Sequence, residues 1–192
     1  MNSKQEITTE LIEQIVRGDQ SAFEELYDIT YTSIYRFVSY FIQNASDCED
    51  VVAETYFNIW HNSTQVLMAK NIKAYLYSIA RYEVYKQLRL NKKNRAILSI
   101  DDMQIDVVSR IKNADEKLEE KETLLLLTEA INSLPERCKL VYLMVREENL
   151  KYKEVADLLA ITEGTVKQQM HNALSKIKEY IQEKLPSISF KS

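Results

Sequence analysis

Glycine and proline are almost missing from this chain. Its 192 residues include two glycines, Gly18 and Gly164, and two prolines, Pro135 and Pro186. That is about 2% of the chain, where average usage gives about 12%. Glycine supplies the positive-φ corners of hairpins and phosphate loops, and proline sets many turns. A chain so poor in both is not rich in β-hairpins. It also has no room for the multi-glycine loops that cradle nucleotide phosphates. The expected fold class is therefore all-α, without dinucleotide or P-loop chemistry.

Helix punctuation fills in the order. Thr8 or Thr9 caps a first helix that stops at Gly18, a residue suited to a left-handed position after a helix. Ser21-Ala-Phe-Glu24, Ser46-Asp-Cys-Glu49 and Ser133-Leu-Pro-Glu136 read as capping boxes, which predicts helix starts near 21, 46 and 133. Between 22 and 43 apolar residues recur at helical spacing: Phe23, Leu26, Tyr27, Ile34, Phe37, Val38 and Phe41. A helix over about 71–93 carries the stripe Ile72, Leu76, Ile79, Ala80 and Val84. The pattern thins from about 94 to 122, where SIDDMQIDVVSRIKNADEKLEEKE is charged and lacks aromatics, and returns from Leu124 to about Leu185. The expectation is two small helical domains, 9–95 and 123–184, joined by a polar linker over 96–122 with room for a short helix at its acidic end.

Charge is unevenly spread. The chain carries −4 overall, yet residues 81–95 hold Arg81, Lys86, Arg89, Lys92, Lys93 and Arg95 against Glu83 alone. An acidic protein thus concentrates a basic end on one helix. The two cysteines, Cys48 and Cys138, lie far apart without CxxC spacing, so they read as small buried thiols. The start, MNSKQEITTE, lacks the basic-then-apolar layout of a signal peptide, and no run reaches the ~18 apolar residues of a membrane span. Those features predict a cytoplasmic chain without membrane insertion.

Three stretches carry functional signals. The first is Tyr152-Lys-Glu-Val-Ala-Asp-Leu-Leu-Ala-Ile-Thr-Glu-Gly-Thr-Val-Lys-Gln-Gln-Met-His-Asn-Ala-Leu. It reads as a short helix, a tight turn at 160–162, and a long helix capped by Thr162. Val166, Met170, Ala173, Leu174, Ile177 and Ile181 form its inner stripe. Lys167, Gln168, His171, Asn172 and Ser175 lie opposite, near the helix start that a helix-turn-helix sets into the major groove. An ordinary helical hairpin with a solvated face has the same spacing. In the second, Tyr77, Arg81, Tyr85, Arg89 and Lys92 share one face of the basic helix, where rings suit unstacked bases and cations suit phosphates. Plain solvation also produces such a face. In the third, Val52, Tyr56, Ile59 and Trp60 form an inner stripe, while Asp47, Asp50, Glu54, Asn58 and His61 line another face. That acidic face suits a basic partner helix, and equally suits water.

Catalytic patterns are scarce. The two histidines, His61 and His171, stand in separate modules, and neither has an HExxH or Glu-x-x-His partner. Asp101, Asp102 and Asp106 fall in the polar linker, where solvated charge is the ordinary reading. We expect no enzyme activity, no catalytic residue, no metal site and no cofactor.

With the three signals in this order, the chain resembles the sigma-70 family of bacterial RNA polymerase initiation factors. It looks like the extracytoplasmic-function (ECF) group, which keeps only regions 2 and 4. Region 2 is suggested by Ser21-Ala-Phe-Glu-Glu-Leu-Tyr, Asp47-Cys-Glu-Asp-Val-Val-Ala-Glu-Thr-Tyr-Phe-Asn-Ile-Trp, and Ile72-Lys-Ala-Tyr-Leu-Tyr-Ser-Ile-Ala-Arg-Tyr. Region 4 is suggested by Leu134-Pro-Glu-Arg, Tyr152-Lys-Glu-Val-Ala and Glu163-Gly-Thr-Val-Lys. The chain departs from the family habit at Ala53, Tyr82, Gln169 and Asn172.

The resemblance implies a binding subunit without bond chemistry. Asp47, Asp50, Glu54 and Asn58 would dock on core RNA polymerase. Tyr77, Arg81, Tyr85, Arg89, Lys92 and Lys93, with the loop 62–71, would engage the −10 element of promoter DNA. Thr165, Lys167, Gln168, His171, Asn172 and Ser175 would read the −35 element. An anti-sigma protein is the implied regulatory partner. Without the resemblance, the residues also fit a stand-alone helix-turn-helix regulator that binds DNA without polymerase. Gly164 costs helix propensity where it stands, so we expect it to be kept for close approach to the preceding helix or to DNA.

Overall fold

A computed structural model describes residues 7–95 and 118–185, with side chains over 7–91 and 123–185. Among these residues every regular element is helical, and the helices gather into two compact units. The first unit comprises α1 (Thr9–Val16), α2 (Gln20–Ser39), α3 (Ala45–His61), α4 (Ser63–Met68) and α5 (Ile72–Arg95). The second comprises α6 (Leu118–Asn132), α7 (Glu136–Tyr142), a π-helical turn (Leu143–Glu147), α8 (Tyr152–Leu159) and α9 (Glu163–Lys184).

The ends of α1 follow the sequence reading. Thr8 Oγ1 accepts the Leu11 N–H at 3.2 Å, and Gly18 turns the chain at φ +87°. At α2 and α3 the caps sit upstream of the expected serines. Asp19 Oδ1 takes the N–H groups of Ser21 and Ala22, and Asn44 Oδ1 takes that of Asp47. Both are strong capping residues, and starting there adds helical hydrogen bonds that a start at Ser21 or Ser46 would forgo. Ser133 caps nothing: its hydroxyl donates to the Ala130 carbonyl at 2.7 Å, and Pro135 occupies the cap position of α7.

In the first unit α5 packs against α3, α2 and α4. Leu26, Ile34 and Val38 of α2, Val52 and Ile59 of α3, and Leu76, Ala80 and Val84 of α5 form the core. Rings mark the helix crossings: Phe37 meets Tyr77 edge-on at 5.3 Å, and Phe23 meets Trp60 edge-on at 5.0 Å. Trp60 is half-buried rather than core. The segment expected as the loop 62–71 contains α4, which tucks Val66 inside and leaves Met68 80% exposed.

In the second unit α9 is the common partner of α6, α7 and α8. Val166, Met170, Ala173 and Ile177 are buried, as are Ile131, Val141, Met144 and Val155, whereas Leu174 is exposed and Ile181 half-buried. The π turn lets the Glu148 N–H reach back five residues to Leu143 at 3.0 Å. Asn149 follows at φ +56°, and the chain turns toward α8. Between α8 and α9 the left-handed corner falls on Ala160 (φ +52°), closed by the Ile161 N–H on the Ala156 carbonyl at 3.0 Å. Thr162 then caps α9 by accepting the Thr165 N–H at 3.1 Å. A Cβ built on Gly164 meets nothing but Thr162 Oγ1, at 3.6 Å, so crowding by the preceding helix does not account for that glycine.

Residues 96–117 of the expected linker lie outside the described residues. Its last five residues, 118–122, are helical, as the start of α6. Cys48 and Cys138 are both buried, as expected.

Candidate functional site

The acidic face of α3 is not a row of solvated carboxylates. Asp50 and Glu54 are exposed, but Asp47 and Asn58 are half-buried because α5 lies alongside. Asn58 Nδ2 donates to Glu83 Oε1 at 3.0 Å and also to the Glu54 carbonyl at 2.9 Å. Glu83 Oε2 accepts from Lys86 Nζ at 2.9 Å, and Lys86 Nζ lies 3.8 Å from Glu54 Oε2. Farther along, Asn91 Nδ2 donates to Asp47 Oδ2 at 3.0 Å. Positions 58, 54 and 47 of α3 thus meet 83, 86 and 91 of α5. The expected polymerase-facing residues and the basic helix share contacts. Sequence reading saw Glu83 merely as the one acid in a basic run; the structure buries it to 3% exposure. The Lys86 ammonium is held above its ordinary pKa, first by the hydrogen bond it donates to Glu83 and then by the charges of Glu83 and Glu54.

The outer side of α5 carries a groove of about 220 Å³ lined by Tyr82, Tyr85, Lys86, Arg89 and Leu90. It joins Tyr85 and Arg89 of the expected strand-binding set to three residues that set left out. Tyr82, Lys86 and Leu90 follow i, i+4, i+8 spacing, and a helical wheel centred on Tyr82 would have gathered them. Arg81 is half-buried at the margin. The side chains of Lys92 and Lys93 lie outside the described residues.

Tyr77 requires a correction. It was expected on the strand-facing side but is 2% exposed, enclosed beside Phe37. A helix packed on one side buries a narrow stripe. Because α5 packs against both α2 and α3, its buried arc widens to take in Ala74, Tyr77, Ala80, Glu83 and Val84, while Ile72 and Ile79 stay half-buried. Tyr77 is therefore core and cannot meet a strand in this arrangement.

On α9, Thr165, Lys167, Gln168 and His171 are exposed, and Asn172 and Ser175 are half-buried, all away from the inner stripe. Gln168 Nε2 donates to Asn172 Oδ1 at 3.0 Å, so two expected base readers hold one another. Thr165 Oγ1 lies 2.9 Å from Thr162 Oγ1. Gln169, half-buried, accepts from the Cys138 thiol at 3.0 Å and ties α9 to α7; burial raises that thiol's pKa. Among the described residues no His, Cys, Asp or Glu cluster suits a metal ion, and no helix is long and apolar enough to cross a membrane.

Known proteins resemble this chain throughout its two units. Residues 16–94 match the profile of "Sigma-70 region 2", and residues 124–177 match that of "Sigma-70, region 4". The ECF RNA polymerase sigma factor SigW of Bacillus subtilis (strain 168) is 24% identical over 179 residues, covering 90% of this chain and 95% of that protein. The ECF RNA polymerase sigma factor SigK of Mycobacterium tuberculosis H37Rv is 27% identical over 174 residues, covering 88% and 90%. Among solved structures, CnrH in complex with the cytosolic domain of CnrY shares the fold with a TM-score of 0.66 at 16% identity, over 91% of this chain and 97% of that one. The sigma factor RpoE in complex with the anti-sigma factor NepR from Bartonella quintana gives 0.67 at 19% identity, over 83% and 96%.

Proposed function

The chain belongs to the sigma-70 family, in its extracytoplasmic-function group, and on that premise we propose that it binds core RNA polymerase and directs initiation at promoters with its own −10 and −35 elements. The observation that carries this reading is the ordered pair of matches, region 2 over 16–94 and region 4 over 124–177. A stand-alone helix-turn-helix regulator would have no use for a region 2 unit. Two separate units, each with a cation-bearing or polar helix face, suit two promoter elements read by one chain.

The division of labour is then as follows. Residues 9–95 act as region 2: Asp47, Asp50, Glu54 and Asn58 dock on polymerase, and Arg81, Tyr85, Arg89, Lys92 and Lys93 of the basic helix engage the −10 strand. Residues 123–184 act as region 4, with Thr165, Lys167, Gln168, His171, Asn172 and Ser175 toward the −35 major groove. Residues 96–122 tether the two. The chain contributes binding energy and positioning, without bond chemistry of its own, and works in the cytoplasm. An anti-sigma protein is the natural antagonist, since the sigma factor RpoE of Bartonella quintana was solved with the anti-sigma factor NepR.

The test is reconstitution. Core RNA polymerase mixed with this chain should initiate transcription at a defined start site on a genomic template, and core enzyme alone should not. If no complex with core polymerase forms, the reading is wrong.

A further inference from the structure

Lys86 lines the α5 groove, yet its ammonium is engaged by Glu83 of the same helix and by Glu54 of α3. It donates to Glu83 at 2.9 Å and lies 3.8 Å from Glu54. Glu83 is 3% exposed, and its other oxygen is occupied by Asn58 at 3.0 Å. A carboxylate this buried loses hydration that its partners must replace, so releasing Lys86 would leave a charge poorly compensated. Lys86, half-exposed, is therefore held where it is by the cost of uncovering Glu83.

We propose that Glu83 is a positioning residue: it commits the Lys86 ammonium to α3 and so withholds it from nucleic acid in the groove lined by Tyr82, Tyr85 and Arg89 until Glu54 is engaged from outside. A phosphate entering the groove competes with two carboxylates for one cation. A cationic surface seated on Glu54, such as the polymerase face proposed above, removes one competitor. Polymerase docking on α3 and strand binding on α5 are thereby coupled with a positive sign, because each event weakens the hold that opposes the other. The inference rests on the proposed function for the identity of the cationic partner. The competition for Lys86 within the free chain does not.

The experiment uses the full chain without polymerase and an oligothymidylate as the single-stranded probe, with affinity measured against salt. Each phosphate contact contributes about 0.7 to the slope of log affinity on log salt for single strands. Lys86→Gln should leave affinity and slope unchanged, because the ammonium is already committed. Glu83→Gln keeps the shape and the oxygen facing Asn58; it should raise affinity and steepen the slope by about 0.7, a further ~2.6-fold loss between about 50 and about 200 mM salt. Glu54→Gln should move in the same direction by less, given the longer separation from Lys86. Glu10→Gln, an exposed change of equal charge on α1, should leave the slope alone. A structural role for Glu83 would not produce a gain that Lys86→Gln abolishes in the double variant. The proposal is overturned if Lys86→Gln flattens the slope in the otherwise unchanged chain, or if a folded Glu83→Gln leaves it where it was. Should Glu83→Gln lose helicity, the surface variants Lys86→Gln and Glu54→Gln still decide. Failure to bind core polymerase would count against the proposed function and leave the salt series standing.

Discussion

The two units reach stability by different means. In the first, directional contacts run between helices far apart in sequence: Thr30 with Tyr56, Asn58 with Glu83, Asp47 with Asn91, and edge-on rings at the crossings. In the second, the core around Ile131, Met144, Val155, Met170 and Ile177 is aliphatic and sulfur-bearing. Its longer polar ties include Cys138–Gln169 and the exposed Tyr180–Glu129 pair, and Glu148 is a buried polar residue. Apolar burial is non-directional and tolerates small shifts, whereas buried hydrogen bonds hold one register. The unit whose two candidate faces lie on adjacent helices is the one with pinned registers. The unit whose candidate face lies on a single helix, α9, needs no such pinning.

The largest way to test that contrast is to hollow one core. Leu76 is fully buried in the first unit, so Leu76→Ala should cost ~2–5 kcal/mol there. Urea unfolding followed by a first-unit probe such as Trp60 should shift, while a probe in α9 should not. A shared shift would show that the units unfold as one.

Next in size is the buried hydroxyl pair. Thr30 Oγ1 donates its one proton to the Leu26 carbonyl at 2.6 Å, so it accepts from Tyr56 Oη at 2.8 Å. Thr30→Val strands a buried phenol and should cost ~1–3 kcal/mol. Tyr56→Phe removes the donor without stranding Thr30 and should cost about 0.5–1.5 kcal/mol. Equal losses would show that water satisfies the phenol.

The same tyrosine makes the first unit's stability depend on pH. Burial pushes the Tyr56 pKa well above the ordinary tyrosine value of about 10. A raised folded pKa stabilises fully below that ordinary value, and the contribution is lost as pH rises above it. In the second unit burial likewise raises Tyr142, but burial lowers Lys139, and a lysine with a lowered folded pKa adds stability as pH rises toward its unfolded value. Above about pH 10 the first unit should lose stability as Tyr56 ionises in the unfolded chain, and Tyr56→Phe should flatten that loss. Paired pH titrations of the two unfolding transitions check this.

Smallest is Gly164→Ala. With no neighbour closer than 3.6 Å to the added Cβ, it should stabilise the second unit by roughly 0.5 kcal/mol, less than the interior helix difference of about 1 kcal/mol. If promoter binding nevertheless falls while the melting temperature rises, close approach to DNA is the reason for the glycine.

Much of the candidate site was legible beforehand because it depends on one helix at a time. The exposed residues of α9 from Thr165 to His171 follow from apolar spacing alone, as do the Thr162 cap and the turn at Ala160. On α5 the same arithmetic went astray at Tyr77 and passed over Tyr82, Lys86 and Leu90. Periodicity gives the centre of a buried stripe for a helix with one neighbour, and α5 has several. The caps at Asp19 and Asn44 differ from the sequence pattern for a nearer reason: the capping boxes fall at serines two residues downstream of each, and local competition between good caps is settled by which start yields more backbone bonds.

By itself the sequence determined the helical class, the two modules in order, the corner at Gly18 and the outward face of α9. All of these are set by interactions within about one helical turn. Only the tertiary structure decided that Glu83 is buried, that it faces Asn58 across 25 positions, that Asp47 meets Asn91 across 44, and that the Lys86 ammonium sits between Glu83 and Glu54. Those facts depend on the rotation of α5 between α2 and α3. That rotation is set by the fit of whole helix surfaces, which no single turn of sequence encodes.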